Sequence, residues 1–234
     1  MGKLRIMPSC RDFLPARDSS QVGLTRVELL VFVGILVILA GVGVGPISNY
    51  LKRAKIHRAV ESARTINTLL SQYATDNNGV YPTGENTSAA GKSEGIARNL
   101  LANHYTPDAA IFAVGSTAMY SGTKPDFSDI AAANISWDFT GCANATTGIT
   151  SDASDYLPVL YTTGESVIYP TTPGTGLNLP LSGNGPFAKS GVVVAYKGNN
   201  ATFIRGTPSG TTLECRDFIS TAFKDPGPYT QIKP

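Results

Sequence analysis

The sequence predicts an α+β protein in which a long N-terminal helix, its first half transmembrane, packs on a small antiparallel sheet with long loops. Two observations favour this fold class. No residue from 29 to 45 has a polar side chain, and an amphipathic stretch follows directly. Residues 79–234 are rich in Gly, Pro, Ser, Thr and Asn and hold only short strand-like segments, which is typical of loops around a small sheet.

One helix is expected over residues 24–76. Beyond Pro46, apolar residues recur at spacings of three and four and form one stripe. They are Ile47, Tyr50, Leu51, Ala54, Val60, Ala63, Ile66, Leu70, Tyr73 and Ala74. Asp76-Asn77-Asn78-Gly79 ends the pattern, because Gly79 suits a left-handed helix stop. Three glycines and a proline over residues 41–46 predict a hinge, since both residue types weaken a helix.

The apolar run approaches the length of a bilayer span when Leu24 and Val27 join it. Residues 1–23 carry four basic and two acidic side chains, which favours a cytoplasmic N-terminus. Four basic residues after the run weaken that bias, namely Lys52, Arg53, Lys55 and Arg58. Glu28 stands at the head of the run, where a carboxylate is costly in lipid and normally has a partner.

The order of these features resembles the class III signal of type IV prepilins and type II secretion pseudopilins. A basic leader ends in Gly23, then an apolar residue, Thr25, two more residues, Glu28 and the apolar run follow. The resemblance implies cleavage by a prepilin peptidase between Gly23 and Leu24, N-methylation of Leu24, and a role for Glu28 in assembly. Leu24 stands where Phe is usual, and Arg26 occupies a position that is usually apolar.

Residues 71–82 are similar to the helix-to-loop junction of major pseudopilins. The resemblance implies the type IV pilin fold with four parts. Residues 1–23 would be the leader, 24–46 the transmembrane and filament-core helix, 47–78 its amphipathic outer half, and 79–234 a periplasmic or extracellular globular domain. It also implies that the helix breaks at Pro46 on assembly.

The function that the resemblance implies is a structural subunit of a type II secretion pseudopilus, which helps to export folded proteins. Its expected partners are copies of itself, other pseudopilins, the prepilin peptidase, the inner-membrane assembly platform and, before assembly, membrane lipid. The expected location is the bacterial inner membrane, single-pass with a cytoplasmic N-terminus, and then a periplasmic pseudopilus. The resemblance to residues 20–83 is also compatible with a cell-surface type IV pilus or a competence-type minor pilin.

An ordinary export signal is the alternative of another class, and it would make the chain a signal-anchored binding or hydrolytic domain. Ala40 and the glycines that follow it imitate a signal-peptidase site. An ordinary signal is not expected to carry Glu28 at the start of its apolar region. Intact mass separates the two, since a signal anchor keeps residues 1–23.

Enzymatic motifs are not found in the sequence, so no catalytic activity is expected. His57 and His104 stand in no metal-binding spacing, and no nucleophile or phosphate-binding motif occurs. A net charge of +2 gives no indication of nucleic-acid binding.

Three cysteines occur, and cleavage after Gly23 would remove Cys10. In an oxidising compartment, Cys142 and Cys215 are then a disulfide candidate, with two unpaired thiols as the alternative. No cofactor is expected, although major pseudopilins often bind calcium in a C-terminal loop. Loop carboxylates that could supply oxygen ligands are Asp126, Asp129, Asp138, Asp152, Asp155 and Asp225, and solvated side chains are the favoured interpretation.

The globular part allows a coarse prediction of elements. A short helix is expected at residues 94–103, and strands at 111–114, 157–161 and 167–169. A hairpin is expected from residues 191–197 and 201–205, with Gly-Asn-Asn between them. Residues 115–190 are expected to be mainly loop, 217–223 a helical turn, and 226–234 a Pro-rich tail.

Overall fold

The structure, a computed structural model, describes residues 25–84, 91–122, 127–142, 148–225 and 227–234. Within that part, the side chains of residues 39–47 are not described. The chain divides into two compact units between Ser48 and Asn49. The first unit contains the beginning of the long helix, and the second contains its remainder and the whole sheet.

Two α-helices and seven strands are defined. Helix α1 covers Arg26–Asp76 and helix α2 covers Ser93–Ala102. Short 3-10 turns occur at Ala109–Phe112, Ala132–Asn134 and Ala188–Ser190. The strands are β1 Trp137–Cys142, β2 Pro158–Thr162, β3 Leu177–Pro180, β4 Gly191–Tyr196, β5 Asn200–Ser209, β6 Thr212–Ile219 and β7 Tyr229–Ile232.

The strands form one antiparallel sheet in the order β3-β6-β5-β4-β2-β1-β7. The C-terminal strand β7 lies at one edge and pairs Ile232 with Phe139 of β1. Strand β2 is buried at every position, and β1 and β4 are buried at all but their last residue. Strands buried on both faces do not alternate between apolar and polar residues. The core therefore centres on the β1, β2 and β4 region of the sheet.

The end of α1 follows the predicted stop signal. Asn78 and Gly79 both have positive φ, at 55° and 80°. The N–H of Gly79 donates to the carbonyl of Ala74 at 2.7 Å, which satisfies a carbonyl left open by the last turn. After the helix, Val80 forms an isolated antiparallel β-bridge with Thr150.

The buried stripe of α1 is shorter than the sequence predicts. From residue 59 onward it is continuous, with spacings of three and four, and comprises Ala59, Ala63, Ile66, Leu70 and Ala74. Tyr50 and Leu51, which were expected on the same stripe, are exposed. The side chain of Asn67 joins this face to the sheet, because its Nδ2 donates to the carbonyl of Tyr196 at 2.9 Å.

The predicted hairpin is confirmed by β4 and β5, which pair from Gly191 and Arg205 to Tyr196 and Asn200. Asn199 in the turn has φ 61°, a conformation that Asn tolerates better than most residues. Helix α2 agrees with the predicted helix within one residue at each end.

The predicted fold class is wrong. The sequence indicated a small sheet in a mainly irregular domain, whereas the structure has a seven-stranded sheet that reaches from β1 to β7. Three of its strands lie in residues 115–190: β2 agrees with the strand expected at 157–161 within one residue at each end, whereas β1 and β3 lie where loop was expected. The type IV pilin fold inferred from the N-terminal resemblance is therefore not retained.

The expected transmembrane half and the inner-membrane location are also corrected. Within the described part of the chain, no helix is both long enough and apolar enough to cross a membrane.

Four smaller predictions also differ from the structure. The expected strand at residues 111–114 is largely the 3-10 turn Ala109–Phe112, and residues 167–169 are not assigned to a strand. The helical turn expected at 217–223 is instead the end of β6 followed by a turn. The Pro-rich tail contains β7, which pairs with β1.

Candidate functional site

The N-terminal end of α1 is closed by a reciprocal pair of side chains. Glu28 Oε2 accepts hydrogen bonds from the backbone N–H of Thr25 at 2.8 Å and from its hydroxyl at 2.9 Å. The Thr25 hydroxyl oxygen accepts the N–H of Glu28 at 3.2 Å. This arrangement is a capping box, in which a Thr and a Glu three residues later satisfy each other's open backbone groups.

The other carboxylate oxygen of Glu28, Oε1, takes no part in the capping box. Both hydrogen bonds from Thr25 fall on Oε2, and among the described residues no hydrogen bond reaches Oε1 of Glu28. The residue is exposed. Glu28 can therefore keep the cap and accept a donor from another molecule at the same time.

The apolar side chains after the cap are all turned to solvent. Ten large apolar residues lie between positions 27 and 38, and each is between 49% and 75% exposed. They are Val27, Leu29, Leu30, Val31, Phe32, Val33, Ile35, Leu36, Val37 and Ile38. They surround the helix instead of forming a stripe, and helices that are apolar on all sides are normally found buried. We call residues 25–38 the exposed apolar helix.

Three predicted site residues are not part of the cap or of the exposed apolar helix. Gly23 and Leu24, the expected cleavage and methylation positions, lie outside the described residues. At Pro46 the backbone is helical, because α1 is continuous from Arg26 to Asp76. The break expected there concerns the assembled filament, so it stays a prediction.

The disulfide candidate is corrected by the structure, in which Cys142 and Cys215 are both free thiols. Cys142 ends β1, and Cys215 lies in β6, with β5, β4 and β2 between the two strands. Four strand spacings amount to about 19 Å, while bridged cysteines have Cα atoms within about 7 Å. Cys215 is instead buried, and its Sγ donates to the carbonyl of Ile204 at 3.3 Å.

Several of the candidate calcium ligands make separate contacts with other residues. In the described part of the chain, no three His, Cys, Asp or Glu side chains are grouped so that they could hold a metal ion. Tyr120 donates to Asp129, Lys197 lies 3.0 Å from Asp155, and Tyr229 donates to Asp225 at 2.7 Å. Asp152 is exposed, Asp138 is fully buried, and Asp126 lies outside the described residues.

Asp138 belongs to a buried polar cluster beneath the C-terminal strand. Gln231 Nε2 donates to Asp138 Oδ2 at 2.6 Å and to the carbonyl of Glu165 at 2.8 Å. Gln231 Oε1 accepts the N–H of Val167 at 3.1 Å. Burial raises the pKa of Asp138 to about 6. The side chain of Gln231 thus links β7 by hydrogen bonds to β1 and to the loop that contains Glu165.

Neither a family model, nor a curated protein, nor a solved structure matches this chain. Any functional conclusion therefore depends on the residues and contacts described above.

Sequence reasoning overlooked two features of these sites. Thr25 was quoted only as part of the prepilin pattern, although Thr-x-x-Glu before an apolar run is also the signature of a capping box. Gln231 lies in the stretch that was expected to be a Pro-rich tail. No local signal identifies its partners, because Asp138 is 93 positions away in the chain.

Proposed function

We propose that this chain is a structural subunit of a filament of the type II secretion pseudopilus kind, which polymerises through its exposed apolar helix and helps to export folded proteins. The observation that carries this proposal is the set of ten exposed apolar side chains between Val27 and Ile38, headed by a capped carboxylate with one open oxygen. The occupant that we assign to this surface is a second copy of the chain.

Burial of these side chains supplies the driving force for association. Covering a half-exposed Val, Leu, Ile or Phe side chain contributes about 1 kcal/mol. Ten of them contribute about 10 kcal/mol, which is comparable with the cost of immobilising one copy on another. Contact with several neighbours, as in a fibre, covers more sides of the helix than a pairwise contact does. A helix that is apolar on all sides therefore favours a many-copy assembly.

Glu28 sets how the copies are staggered. Apolar contacts are not directional, so they do not fix the position of one helix along the next. The resemblance to prepilins implies a free or methylated amine on Leu24 after cleavage. That amine on one copy is the donor that we assign to Oε1 of Glu28 on its neighbour.

The remaining partners follow from the same proposal. They are other pseudopilins, the prepilin peptidase that cuts after Gly23, and the assembly platform of the secretion system. The role of the chain is structural, and neither a cofactor nor a nucleic acid takes part in it.

Substitutions at the cap separate its structural role from the proposed role in assembly. Glu28→Gln keeps the capping box, since Gln also serves at this position, but removes the charge. Thr25→Ala removes the cap and keeps the charge. Both variants are produced in cells that also make the prepilin peptidase and the assembly platform, and sheared or pelleted fibres are quantified against total protein.

We expect Glu28→Gln to lower the fibre yield about 10-fold or more and Thr25→Ala to leave it within about 2-fold, because a charge pair within apolar surroundings is costly to break. Equal losses in both variants would mean that Glu28 acts only as a cap. A normal yield from Glu28→Gln would refute the pairing with the amine. Deletion of the chain should also stop the export of folded proteins, and unchanged export would exclude the secretion role.

A further inference from the structure

Two asparagines of the chain are followed directly by glycine, in the pairs Asn78-Gly79 and Asn184-Gly185. Glycine has no Cβ, so its backbone nitrogen is less hindered than that of any other residue. This nitrogen can attack the side-chain amide of the preceding asparagine, which is the first step of deamidation. Both asparagines are exposed. The contacts of the two glycine N–H groups therefore decide which pair reacts in the folded protein.

In the pair Asn78-Gly79, the attacking nitrogen is already engaged. The N–H of Gly79 donates to the carbonyl of Ala74 at 2.7 Å and closes the end of α1. The carbonyl of Gly79 accepts the N–H of Ser151, also at 2.7 Å. Attack on the Asn78 side chain would require this nitrogen to give up its hydrogen bond and the helix end to open. We therefore expect this pair to react slowly.

In the pair Asn184-Gly185, the corresponding nitrogen has no acceptor. Among the described residues, none receives the N–H of Gly185, and none bonds to the side chain of Asn184. The hydrogen bonds of this pair involve other atoms. The N–H of Asn184 donates to the Ser182 hydroxyl at 3.1 Å, and the carbonyl of Gly185 accepts the N–H of Ala188 at 2.9 Å. No hydrogen bond within the described chain therefore has to break before the attack.

We propose that Asn184 is a deamidation site of the folded protein and that Asn78 is protected by the end of α1. The Gly185 nitrogen loses its proton to solvent base and forms a bond to Cγ of Asn184. The Cγ–Nδ2 bond breaks, and the departing nitrogen takes a proton from solvent and leaves as ammonia. Water then adds to one of the two carbonyl carbons of the cyclic imide and breaks a ring C–N bond, which gives aspartate or isoaspartate. The reaction requires only the chain and water, so it does not depend on the proposed filament.

The loop that contains Asn184 also holds a buried acid. The N–H of Ser182 donates to Glu165 Oε2 at 2.6 Å, and the Ser182 hydroxyl donates to the carbonyl of Gly164 at 3.0 Å. Glu165 is buried, and within the described part of the chain its Oε1 has no hydrogen-bond partner. Either product places a new negative charge two residues from Ser182, and isoaspartate also lengthens the main chain. Deamidation therefore weakens the contacts that this loop makes with Glu165.

Peptide mapping by mass spectrometry tests the assignment in the full chain. The unaltered protein is incubated in mildly alkaline buffer, once folded and once unfolded in urea, and conversion of both asparagines is followed in the same samples. Asn78 is thus the internal control. Asn184→Gln is the matched variant, because it keeps an exposed amide whose cyclisation needs a larger ring. Urea unfolding of the folded samples is measured before and after incubation for both proteins.

We expect Asn184 to convert about 10-fold faster than Asn78 in the folded protein and the two rates to agree within about 3-fold in urea, because only the folded chain holds the Gly79 N–H. The incubated unaltered protein should unfold at a lower urea concentration than before, and Asn184→Gln should not change. Equal rates in the folded protein, or no conversion of Asn184, would overturn the site. A rate difference that persists in urea would show that the hydrogen bonds are not its cause. Unchanged unfolding of the deamidated protein would overturn the weakening of the loop.

Discussion

The ionised form of the Asp138 side chain is disfavoured in its buried position. It is fully buried in β1 opposite Tyr161, and burial raises its pKa from 3.8 to about 6. The nearby charge of Glu165 acts in the same direction, whereas the hydrogen bond from Gln231 opposes it. The folded protein therefore binds a proton at this position more readily than the unfolded chain does.

This shift gives Asp138 a pH-dependent contribution to stability. Between its unfolded and folded pKa values the folded state holds the extra proton, so the contribution becomes more favourable as the pH falls from above 6 towards 4. We expect the unaltered protein to gain about 1 kcal/mol from this group between pH 7 and pH 5. Asp138→Asn should lack that gain, and urea unfolding of both proteins at the two pH values measures it.

Asp152→Asn is the control for this comparison, because it removes a carboxyl at an exposed position. If the difference in unfolding free energy between the unaltered protein and Asp138→Asn is the same at pH 7 and pH 5, the raised pKa is wrong.

The free thiols can be counted directly. Cys142 is half-buried, and Cys215 is buried, which raises the pKa of its thiol to about 11. Thiols held in the protonated form react slowly. We therefore expect alkylation of Cys215 to be slow in the native state. After denaturation without reductant, both should be alkylated, as mass spectrometry would show. If Cys142 and Cys215 are alkylated only after reduction, they form a disulfide, and the assignment of two free thiols is wrong.

Residue types in the sequence indicated part of the candidate site. Glu28 was identified because an acid beside an apolar run is unusual. Its hydrogen bonds to Thr25 join two residues that are three positions apart, within one helical turn. They could have been predicted in the same way. The surroundings of Asp138 could not, because they come from Glu165 and Gln231, whose proximity is created only by the complete sheet.

At the scale of elements, one side chain adds three hydrogen bonds to the backbone pairing of the C-terminal strand. Gln231 makes three hydrogen bonds, to Asp138, Glu165 and Val167, at 2.6 to 3.1 Å. Gln231→Leu keeps the size of the side chain but leaves a buried carboxylate and a buried carbonyl without this donor. An unsatisfied buried polar group costs about 1 to 3 kcal/mol, and more when it is charged.

We expect Gln231→Leu to destabilise the protein by about 3 kcal/mol, measured by urea unfolding at pH 7. Gln72→Leu, at an exposed position of α1, is the matched control and should change stability by less than about 0.5 kcal/mol. Equal stability of the two variants would show that the Gln231 contacts do not hold β7.

Elements with local signals were predicted, and elements without them were not. The β4–β5 hairpin combines two apolar runs with a turn that suits Asn199, so its sequence alone indicates it. Strand β1 reads Trp-Asp-Phe-Thr-Gly-Cys, which alternates poorly because both of its faces are buried. Strand β7 follows prolines and is short, so only pairing with distant residues makes it a strand.

At the scale of the whole molecule, the proposed maturation changes the mass of the chain. The prepilin pattern predicts loss of residues 1–23 and an added methyl group on Leu24. Intact mass and N-terminal sequencing of protein from cells that make it measure both. An uncut N-terminus, or a cut near residues 40–45, would mean that the pattern is an ordinary export signal and would remove the filament proposal.

The number of strands is the feature of the whole molecule that the sequence did not predict. Resemblance over residues 20–83 led to an inferred sheet size for a region that it did not cover. The size of a sheet is decided by pairings between residues far apart in sequence, and a single sequence gives no indication of those pairings.

The position of β7 also determines when the sheet can be completed during synthesis. β1 is made about ninety residues before its partner, and the carbonyl of Ile232 in β7 accepts a hydrogen bond from the hydroxyl of Ser93 in α2. Until β7 has been synthesised, the edge of β1 and the carboxyl of Asp138 lack the contacts that β7 provides. A nascent chain that pauses before residue 229 would present an open strand edge, which is a site for mispairing and for chaperone capture. Synthesis of β7 is then the step that completes the sheet.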